Sequence, residues 1–207
     1  MTKRFLIIGG VAGGMSAATR LRRLNEDAEI IVFEKGPYVS FANCGLPYYV
    51  SGEIKEREGL IVQSATALKK RFNIDVREKS EVVKIDSETK TVTVLSEGEE
   101  YIESYDKLIL SPGARPFLPD IIGLNDSENI FTLRNIPDVD RIVEFIKMNN
   151  PKRATIIGAG FIGLEMAENL ANRGLQVTIV EKAPHVLPPI DAEMAAFVNE
   201  ELTKNKT

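Results

Sequence analysis

The residue with the most distinctive chemistry in this chain is Cys44, the only cysteine among 207 residues. Ser40 and Asn43 precede it, and Pro47 stands where the first turn of a short helix is expected. A thiol at the start of a helix is close to the positive end of the helix dipole, which favours the thiolate that attacks disulfides. The alternative is a buried structural cysteine, the commoner role of a single cysteine. Glycine-rich segments on both sides of Cys44 favour the redox role.

The first glycine-rich segment, 9–14, has the context of a dinucleotide-binding unit. The predicted order is strand, glycine turn, helix, strand and terminal acid, at 4–8, 9–14, 15–24, 30–33 and Glu34. Glycines let the backbone approach a pyrophosphate, the helix N-terminus binds that anion, and the acid accepts hydrogen bonds from ribose. Val11 occupies the position where this fingerprint has its second glycine. We therefore predict a nucleotide site here, with an altered approach to phosphate at Val11.

The second glycine-rich segment repeats this pattern. A predicted strand at 154–157 leads into a complete G-x-G-x-x-G at 158–163, followed by a helix at 164–172 and a strand at 177–180 that ends at Glu181. The chain therefore contains an internal repeat. Two dinucleotide sites in one chain indicate two different nucleotides that exchange electrons.

The segment between the repeats reads as helix followed by strands. Its predicted elements are a helix at 65–72, a three-stranded antiparallel meander at 81–85, 91–95 and 100–103, a strand at 105–110 that opens onto 111–116, and a helix at 137–148. The basic face Lys69, Lys70 and Arg71 is interpreted as solvated surface. Asn149-Asn150-Pro151 breaks the last helix and predicts domains at 1–149 and 150–207. Because the second unit has only two strands before a helix near Asp191 and a polar tail, we expect the chain to be part of a longer protein.

The bulk composition limits the possible partners. Hydrophobic residues make up 43% of the chain and its net charge is −4, with no basic block of the kind that binds nucleic acid. One cysteine excludes an internal disulfide, which is compatible with a reducing cytoplasm. No apolar run approaches the roughly 20 residues that span a bilayer, and no signal peptide or metal-ligand cluster is predicted. We expect a cytoplasmic protein without nucleic-acid or membrane partners.

Three features in this order resemble the FAD-dependent pyridine nucleotide–disulfide oxidoreductases. They are the first glycine loop, the 105–116 segment with its Pro-Gly-Ala turn, and the second glycine loop followed by Glu165. The resemblance implies an α/β fold with two Rossmann-like dinucleotide-binding units, FAD then NAD(P), an antiparallel β-meander between them, and an incomplete second unit. It implies FAD binding by Gly9, Gly10, Val11, Ala12, Gly13, Gly14, Glu34, Lys35, Val82, Ser111, Pro112 and Gly113. It implies binding of the nicotinamide nucleotide by Gly158, Ala159, Gly160, Phe161, Ile162, Gly163, Glu165, Glu181 and Lys182.

The cysteine segment narrows the resemblance to one branch of that family. Members similar to glutathione reductase have a second cysteine five residues after the first, where this chain has Tyr49. The pattern Ser-Phe-x-x-Cys-Gly-x-Pro-Tyr resembles coenzyme A disulfide reductases and the related coenzyme A persulfide or polysulfide reductases. That resemblance implies coenzyme A binding by Ser16, Arg20, Arg23, Ser40 and Asn43, with Arg71 as a further candidate. An ordinary basic helix surface is the alternative for Arg20 and Arg23.

The same resemblance implies a mechanism and a cofactor preference. Electrons from NADH or NADPH would pass through FAD to a mixed disulfide between Cys44 and coenzyme A. Glu181 repels a 2′-phosphate and so favours NADH, whereas the adjacent Lys182 leaves NADPH use open.

Two other functions remain open from the sequence. NADH oxidases and peroxidases cycle a single cysteine through sulfenic acid, but they have a histidine in the first glycine loop where this chain has Ala12; the only histidine here is His185. A non-catalytic flavin-binding electron-transfer subunit with an inert Cys44 is the alternative of another class. We expect the full-length protein to be a homodimer, and residues 1–207 alone to be poorly soluble or flavin-poor and inactive.

Overall fold

The computed structural model describes residues 2–124 and 127–204, and the predicted polar tail at 205–207 lies outside them. Within these ranges the strands are β1 Arg4–Ile8, β2 Glu29–Phe33, β3 Asp75–Arg77, β4 Ser80–Asp86, β5 Thr91–Ser96, β6 Glu99–Ser104, β7 Lys107–Leu110, β8 Arg153–Ile157 and β9 Gln176–Val180. The α-helices are α1 Ala12–Leu24, α2 Leu46–Ser51, α3 Ala65–Phe72, α4 Ile136–Asn149, α5 Phe161–Asn172 and α6 Ala192–Lys204.

The chain packs as two compact units. The first contains residues 1–42 and 61–115, and the second contains 43–60 and 116–207. The cysteine-bearing segment therefore belongs to the same unit as the second glycine loop, although in sequence it lies between the two parts of the first unit. The domain boundary between 149 and 150 stays a prediction.

A four-stranded parallel sheet with the order β3-β2-β1-β7 forms the centre of the first unit. Side chains alternate across it, so Ile7 and Val32 face a cluster completed by Ala18 of α1 and Leu68 of α3. Leu6, Ile31 and Phe33 face the opposite way. Burial of β1 and β2 on both faces explains their continuous apolar sequences.

The meander β4-β5-β6 covers the other face of this sheet. Val92 and Val94 of β5 pack on Leu6, Ile31 and Phe33, which confirms the predicted three-stranded antiparallel arrangement. The register of β4 shifts between Val82 and Lys84, so one extra residue bulges from that strand. Strand β3 was not predicted, because three residues of mixed polarity give no periodic pattern.

The second unit contains the parallel pair β8-β9 with α5 following β8. Helix α4 begins at a capping box in which Asn135 and Asp138 bond each other's backbone N–H, so its start matches the predicted helix closely. Helix α2 packs against both α4 and α5. No helix in the described ranges is long and apolar enough to cross a membrane.

Candidate functional site

The first glycine loop is held in a conformation that needs glycine at two positions. Gly9 has φ +100°, and its N–H donates to the Phe33 carbonyl at 2.8 Å. A Cβ atom at Gly9 would lie 2.0 Å from the Ser111 carbonyl oxygen. A Cβ atom at Gly14 would lie 1.8 Å from the Gly9 carbonyl oxygen. These glycines allow the helix, the turn and the strand end to pack closely.

Glu34 fixes the loop from the end of β2. Its carboxylate accepts hydrogen bonds from the N–H groups of Gly10 at 2.8 Å and Gly36 at 2.7 Å. A Cβ atom at Gly10 would meet Glu34 Cβ at 2.9 Å, which explains the glycine there. In the described part of the chain, the N–H groups of the first turn of α1, residues 12–14, have no acceptor. This turn can bind an anion such as a pyrophosphate.

The other residues predicted to bind FAD lie in the same unit. Ser111 donates its N–H to the Ile8 carbonyl at 2.7 Å, Pro112 follows it, and Gly113 has φ +69°. Lys35 forms an exposed ion pair with Glu81 at 2.7 Å. Val82 packs on the core beneath the meander. Gly13 faces Ser111, since a Cβ atom there would lie 3.2 Å from the Ser111 hydroxyl oxygen.

The second glycine loop repeats this geometry. Gly158 donates its N–H to the Val180 carbonyl at 2.8 Å, and Glu181 accepts from the N–H groups of Ala183 at 2.7 Å and Ala159 at 2.6 Å. The hydrogen bonds from Ala183 and then Ala159 lower the pKa of Glu181, so its carboxylate is ionised at neutral pH. A Cβ atom at Gly163 would lie 2.1 Å from the Gly158 carbonyl oxygen.

The remaining residues predicted to bind the nicotinamide nucleotide surround this loop. Gly160 is the N-cap of α5, and Phe161 and Ile162 are exposed on its first turn. Glu165 lies in α5, where its carbonyl accepts from the Asn169 amide at 2.8 Å. Lys182 is exposed beside Glu181. The first turn of α5 thus offers a second anion-binding helix N-terminus.

The structural repeat extends six residues beyond Glu34 and Glu181, the acids that end the two strands. The sequence did not reveal this extension. Ser40 has φ +46° and donates its N–H to the Gly10 carbonyl at 2.9 Å. Leu187 has φ +48° and donates its N–H to the Ala159 carbonyl at 2.8 Å. A left-handed conformation is uncommon for either residue type, so its recurrence shows that the loop architecture imposes it.

A pocket of about 360 Å³ opens beside the first glycine loop, entirely within the first unit. Helix α1, the Ser40 segment and α3 supply its walls. Its lining residues are Val11, Ala12, Met15, Ser16, Thr19, Ser40, Phe41, Val62, Gln63, Leu68, Arg71 and Phe72. Val11, which replaces the second fingerprint glycine, therefore contributes a side chain to this wall.

Several polar groups at this pocket have no hydrogen bond or ion pair within the described residues. They are the hydroxyls of Ser16 and Ser40 and the guanidinium of Arg71, which only contacts the ring of Phe72 at 5.1 Å. Arg20 and Arg23 do not line the pocket, but they lie four and seven residues after Ser16 and so extend its helix face. The pocket thus presents one unpaired cation and two hydroxyls, with two further cations on the adjoining helix face, as an anionic ligand requires.

The sequence missed more than half of the residues that line this pocket. Met15, Thr19, Phe41, Val62, Gln63, Leu68 and Phe72 line it, and the sequence does not predict them. Backbone hydrogen bonds explain how 62–63 reach it, because the N–H groups of Val62 and Gln63 both donate to the Ser40 carbonyl. Of these residues, only Thr19 could have been inferred from the sequence, because it follows the predicted site residue Ser16 by three residues on one helix face.

Cys44 is exposed and lies in a 3-10 turn, Asn43–Gly45, that continues directly into α2. Pro47 stands in the first turn of α2, as predicted. The side-chain oxygen of Asn43 is buried and has no hydrogen-bond donor within the described ranges. A buried acceptor without a partner, in the residue next to Cys44, marks a place where a ligand or water can donate a hydrogen bond.

The chain matches the family described as pyridine nucleotide-disulphide oxidoreductase over residues 3–207. It belongs to that family. The α/β fold class predicted from the two glycine loops is thereby confirmed, as is the resemblance to this family.

Similar proteins in this oxidoreductase family include a coenzyme A disulfide reductase of Staphylococcus haemolyticus, 41% identical over 97% of this chain and 45% of the relative. The crystal structure of reduced Bacillus anthracis CoADR-RHD superposes with a TM-score of 0.97 and 54% identity, covering 100% of this chain and 37% of that one. An NAD-dependent persulfide reductase from A. fulgidus superposes with a TM-score of 0.93 and 39% identity, covering 99% of this chain and 39% of that one. The chain thus spans less than half the length of these relatives.

Proposed function

We propose that the protein containing this chain is a flavoprotein oxidoreductase that reduces coenzyme A disulfide, or a coenzyme A persulfide or polysulfide, with NAD(P)H. FAD and the single redox cysteine Cys44 carry the electrons in this proposal. The observation that carries it is the pocket beside the first glycine loop, whose free Ser40 hydroxyl lies four residues before Cys44 in the chain. The names of the similar proteins support the same substrate class.

The charges around the pocket fit coenzyme A. Coenzyme A bears a diphosphate and a separate sugar phosphate, so it needs several cations spread along one surface. Arg71 at the pocket and Arg20 and Arg23 on the adjoining helix face have no carboxylate partner within the described residues. Guanidinium groups bind phosphates through paired hydrogen bonds. In this proposal Ser16, Ser40 and Asn43 supply neutral polar contacts.

The two glycine loops fit two dinucleotides. We assign FAD to the first loop and the nicotinamide nucleotide to the second, because each has an acid at the neighbouring strand end and a helix N-terminus whose first N–H groups have no acceptor among the described residues. FAD, when bound, supplies the two-electron transfer between reduced nicotinamide and a disulfide. The remaining predicted contacts, including Lys35, Val82, Glu165 and Lys182, belong to this assignment.

Cys44 performs the thiol chemistry. Its thiolate attacks one sulfur of the coenzyme A disulfide, forms a Cys44–S–S–coenzyme A bond and releases the other coenzyme A as a thiolate. Two electrons and a proton then cleave the mixed disulfide, which regenerates the Cys44 thiolate and releases the second thiol. The exposed position of Cys44 gives a disulfide access to it. We also propose that the full-length protein is a cytoplasmic homodimer.

Replacement of Cys44 by serine tests the proposal in the full natural polypeptide. We expect Cys44→Ser to retain bound flavin and NADH-driven reduction of ferricyanide, and to lose reduction of coenzyme A disulfide. Ser16→Ala serves as the companion variant, since it should raise KM for coenzyme A disulfide without abolishing turnover. Turnover of coenzyme A disulfide by Cys44→Ser would refute the proposed role of the cysteine.

A substrate panel separates the alternatives that remain. It compares coenzyme A disulfide, coenzyme A persulfide, glutathione disulfide, peroxide and oxygen with the parent protein. Faster turnover of the persulfide would favour the persulfide reductase function, whereas turnover of only peroxide or oxygen would favour the sulfenic acid cycle. A flavin spectrum without any turnover and with an unreactive thiol would identify an electron-transfer subunit.

A further inference from the structure

The helix that follows Cys44 is anchored at its far end by an arginine from another helix. Arg173, the C-cap residue of α5, donates a hydrogen bond from Nη1 to the carbonyl of Val50 in the last turn of α2. Both residues belong to the second unit, where α2 packs against α5. No function proposed above uses this contact.

The contact supplies a hydrogen-bond donor to the Val50 carbonyl, which has no partner within α2 itself. The last carbonyls of a helix have no partner within it. In α2 the Tyr48 carbonyl accepts from Ile54 and that of Tyr49 accepts from Gly52, whereas Arg173 is the donor to Val50. Val50 is 0% exposed, so loss of Arg173 leaves a buried carbonyl unsatisfied.

The two ends of α5 connect this anchor to the second glycine loop. Helix α5 has 12 residues, about 18 Å at 1.5 Å per residue, and begins at that loop. Its other end anchors α2, a six-residue helix with Cys44 just before its first turn. We propose that Arg173 is a positioning residue: through the Val50 carbonyl it fixes the orientation of α2 against α5 and thereby the reactivity of Cys44.

This inference rests on the proposed redox role of Cys44, and its experiment separates the two. The full natural polypeptide with bound FAD is prepared as the parent, Arg173→Met, Arg173→Lys and the control Arg153→Met. Arg153 is an exposed arginine of β8 in the same unit. Three rates are measured: NADH-driven reduction of coenzyme A disulfide, NADH-driven reduction of ferricyanide, and alkylation of Cys44 by iodoacetamide across a range of pH.

We expect Arg173→Met to lower kcat for coenzyme A disulfide roughly tenfold and to leave ferricyanide reduction within about twofold, because a small displacement of a reacting group is costly. The pH profile of Cys44 alkylation should shift. Arg173→Lys, which keeps a cationic donor, should recover at least part of the loss, and Arg153→Met should match the parent.

Either of two results would overturn the positioning role. One is a parallel fall of both reductions in Arg173→Met, which would show general loss of folding. The other is a parent-like kcat and alkylation profile. If the parent itself does not reduce coenzyme A disulfide, the proposed substrate is wrong, but the alkylation profiles of the four proteins still decide whether Arg173 acts on Cys44.

Discussion

Ser40 combines a constrained backbone with a free side chain. Its positive φ is set by the hydrogen bond to Gly10 and by two N–H groups, from Val62 and Gln63, on its carbonyl. Leu187 in the second repeat has the same conformation without any polar side chain. The conformation therefore belongs to the loop architecture, and the hydroxyl of Ser40 is the feature specific to the pocket.

Glycine at position 40 separates these two properties. We expect Ser40→Gly to keep the free energy of unfolding within about 1 kcal/mol of the parent, because glycine accepts a positive φ at little steric cost. Without the hydroxyl, KM for coenzyme A disulfide should rise roughly three- to tenfold, as expected for one lost hydrogen bond. Urea unfolding and steady-state kinetics measure the two effects.

The matched variant Ser40→Ala loses the same hydroxyl but keeps a Cβ atom in the left-handed conformation. It should share the KM effect and be less stable than Ser40→Gly. An unchanged KM in both variants would remove Ser40 from the proposed coenzyme A site.

Glu181 is the residue on which nucleotide preference depends. Its carboxylate places a negative charge at the end of β9, where a 2′-phosphate would be repelled, and its lowered pKa extends this charge to more acidic pH. We expect Glu181→Gln to reduce the preference for NADH over NADPH, as the ratio of kcat/KM values, by roughly an order of magnitude. Glu168→Gln, which removes an exposed carboxylate from α5, is the control. A parent that prefers NADPH several-fold would contradict the assignment.

At the scale of elements, the strand–loop–helix repeats were predictable because each has a local signal. Apolar runs indicated β1, β2, β8 and β9, with glycines following β1 and β8 and the acids Glu34 and Glu181 following β2 and β9. Strand β3 was not predictable, since it pairs with β2 across more than forty residues and has only three of its own. More than half of the pocket lining was likewise not predictable from the sequence; Val62 and Gln63, for example, reach the pocket through long-range backbone hydrogen bonds. Aligning the repeats six residues beyond Glu34 and Glu181 would have matched Ser40 with Leu187.

The meander is tied to the parallel sheet by a partly buried charge cluster. Glu103 of β6 accepts from Arg77 of β3 at 2.6 Å and from Arg4 of β1 at 2.5 Å. Burial opposes ionisation of Glu103, but the hydrogen bonds from Arg77 and Arg4 outweigh it and lower its pKa. The cluster therefore stabilises the first unit when Glu103 is ionised.

This cluster predicts a pH dependence of stability. Because the pKa of Glu103 is lower in the folded state, its contribution is fully present above the unfolded pKa near 4.5 and is lost as pH falls through the folded value. We expect Glu103→Gln to reduce the free energy of unfolding by about 1–3 kcal/mol at neutral pH. The difference from the parent should shrink on acidification. Urea unfolding followed by circular dichroism at several pH values measures it.

The exposed carboxylate Glu100, on the same strand, provides the control for that measurement. Glu100→Gln should change stability by less than about 0.5 kcal/mol. A gap between parent and Glu103→Gln that stays constant down to low pH would show that the charge of Glu103 does not stabilise the fold.

At the scale of the whole molecule, the second unit leaves large apolar side chains uncovered. Ile157 of β8 and Val180 of β9 are each 53% exposed, and Phe161 and Ile162 at the start of α5 are 63% and 58% exposed. A two-stranded sheet with open edges is marginally stable by itself and invites association. The similar coenzyme A disulfide reductase of Staphylococcus haemolyticus is more than twice as long as the stretch that this chain matches.

These exposed surfaces lead to a prediction for residues 1–207 expressed alone. We expect this chain to associate nonspecifically or to bind FAD in clearly less than one equivalent, and to show no NADH-driven reduction of coenzyme A disulfide. The reason is that, within the described residues, the apolar side chains around the second glycine loop are exposed. Size-exclusion chromatography, the flavin absorbance per protein and a turnover assay measure the three properties. Replacing exposed Phe161 and Ile162 by serine should reduce the association without restoring turnover. A monodisperse chain with stoichiometric FAD and NADH-driven turnover would show that the described residues complete the functional fold.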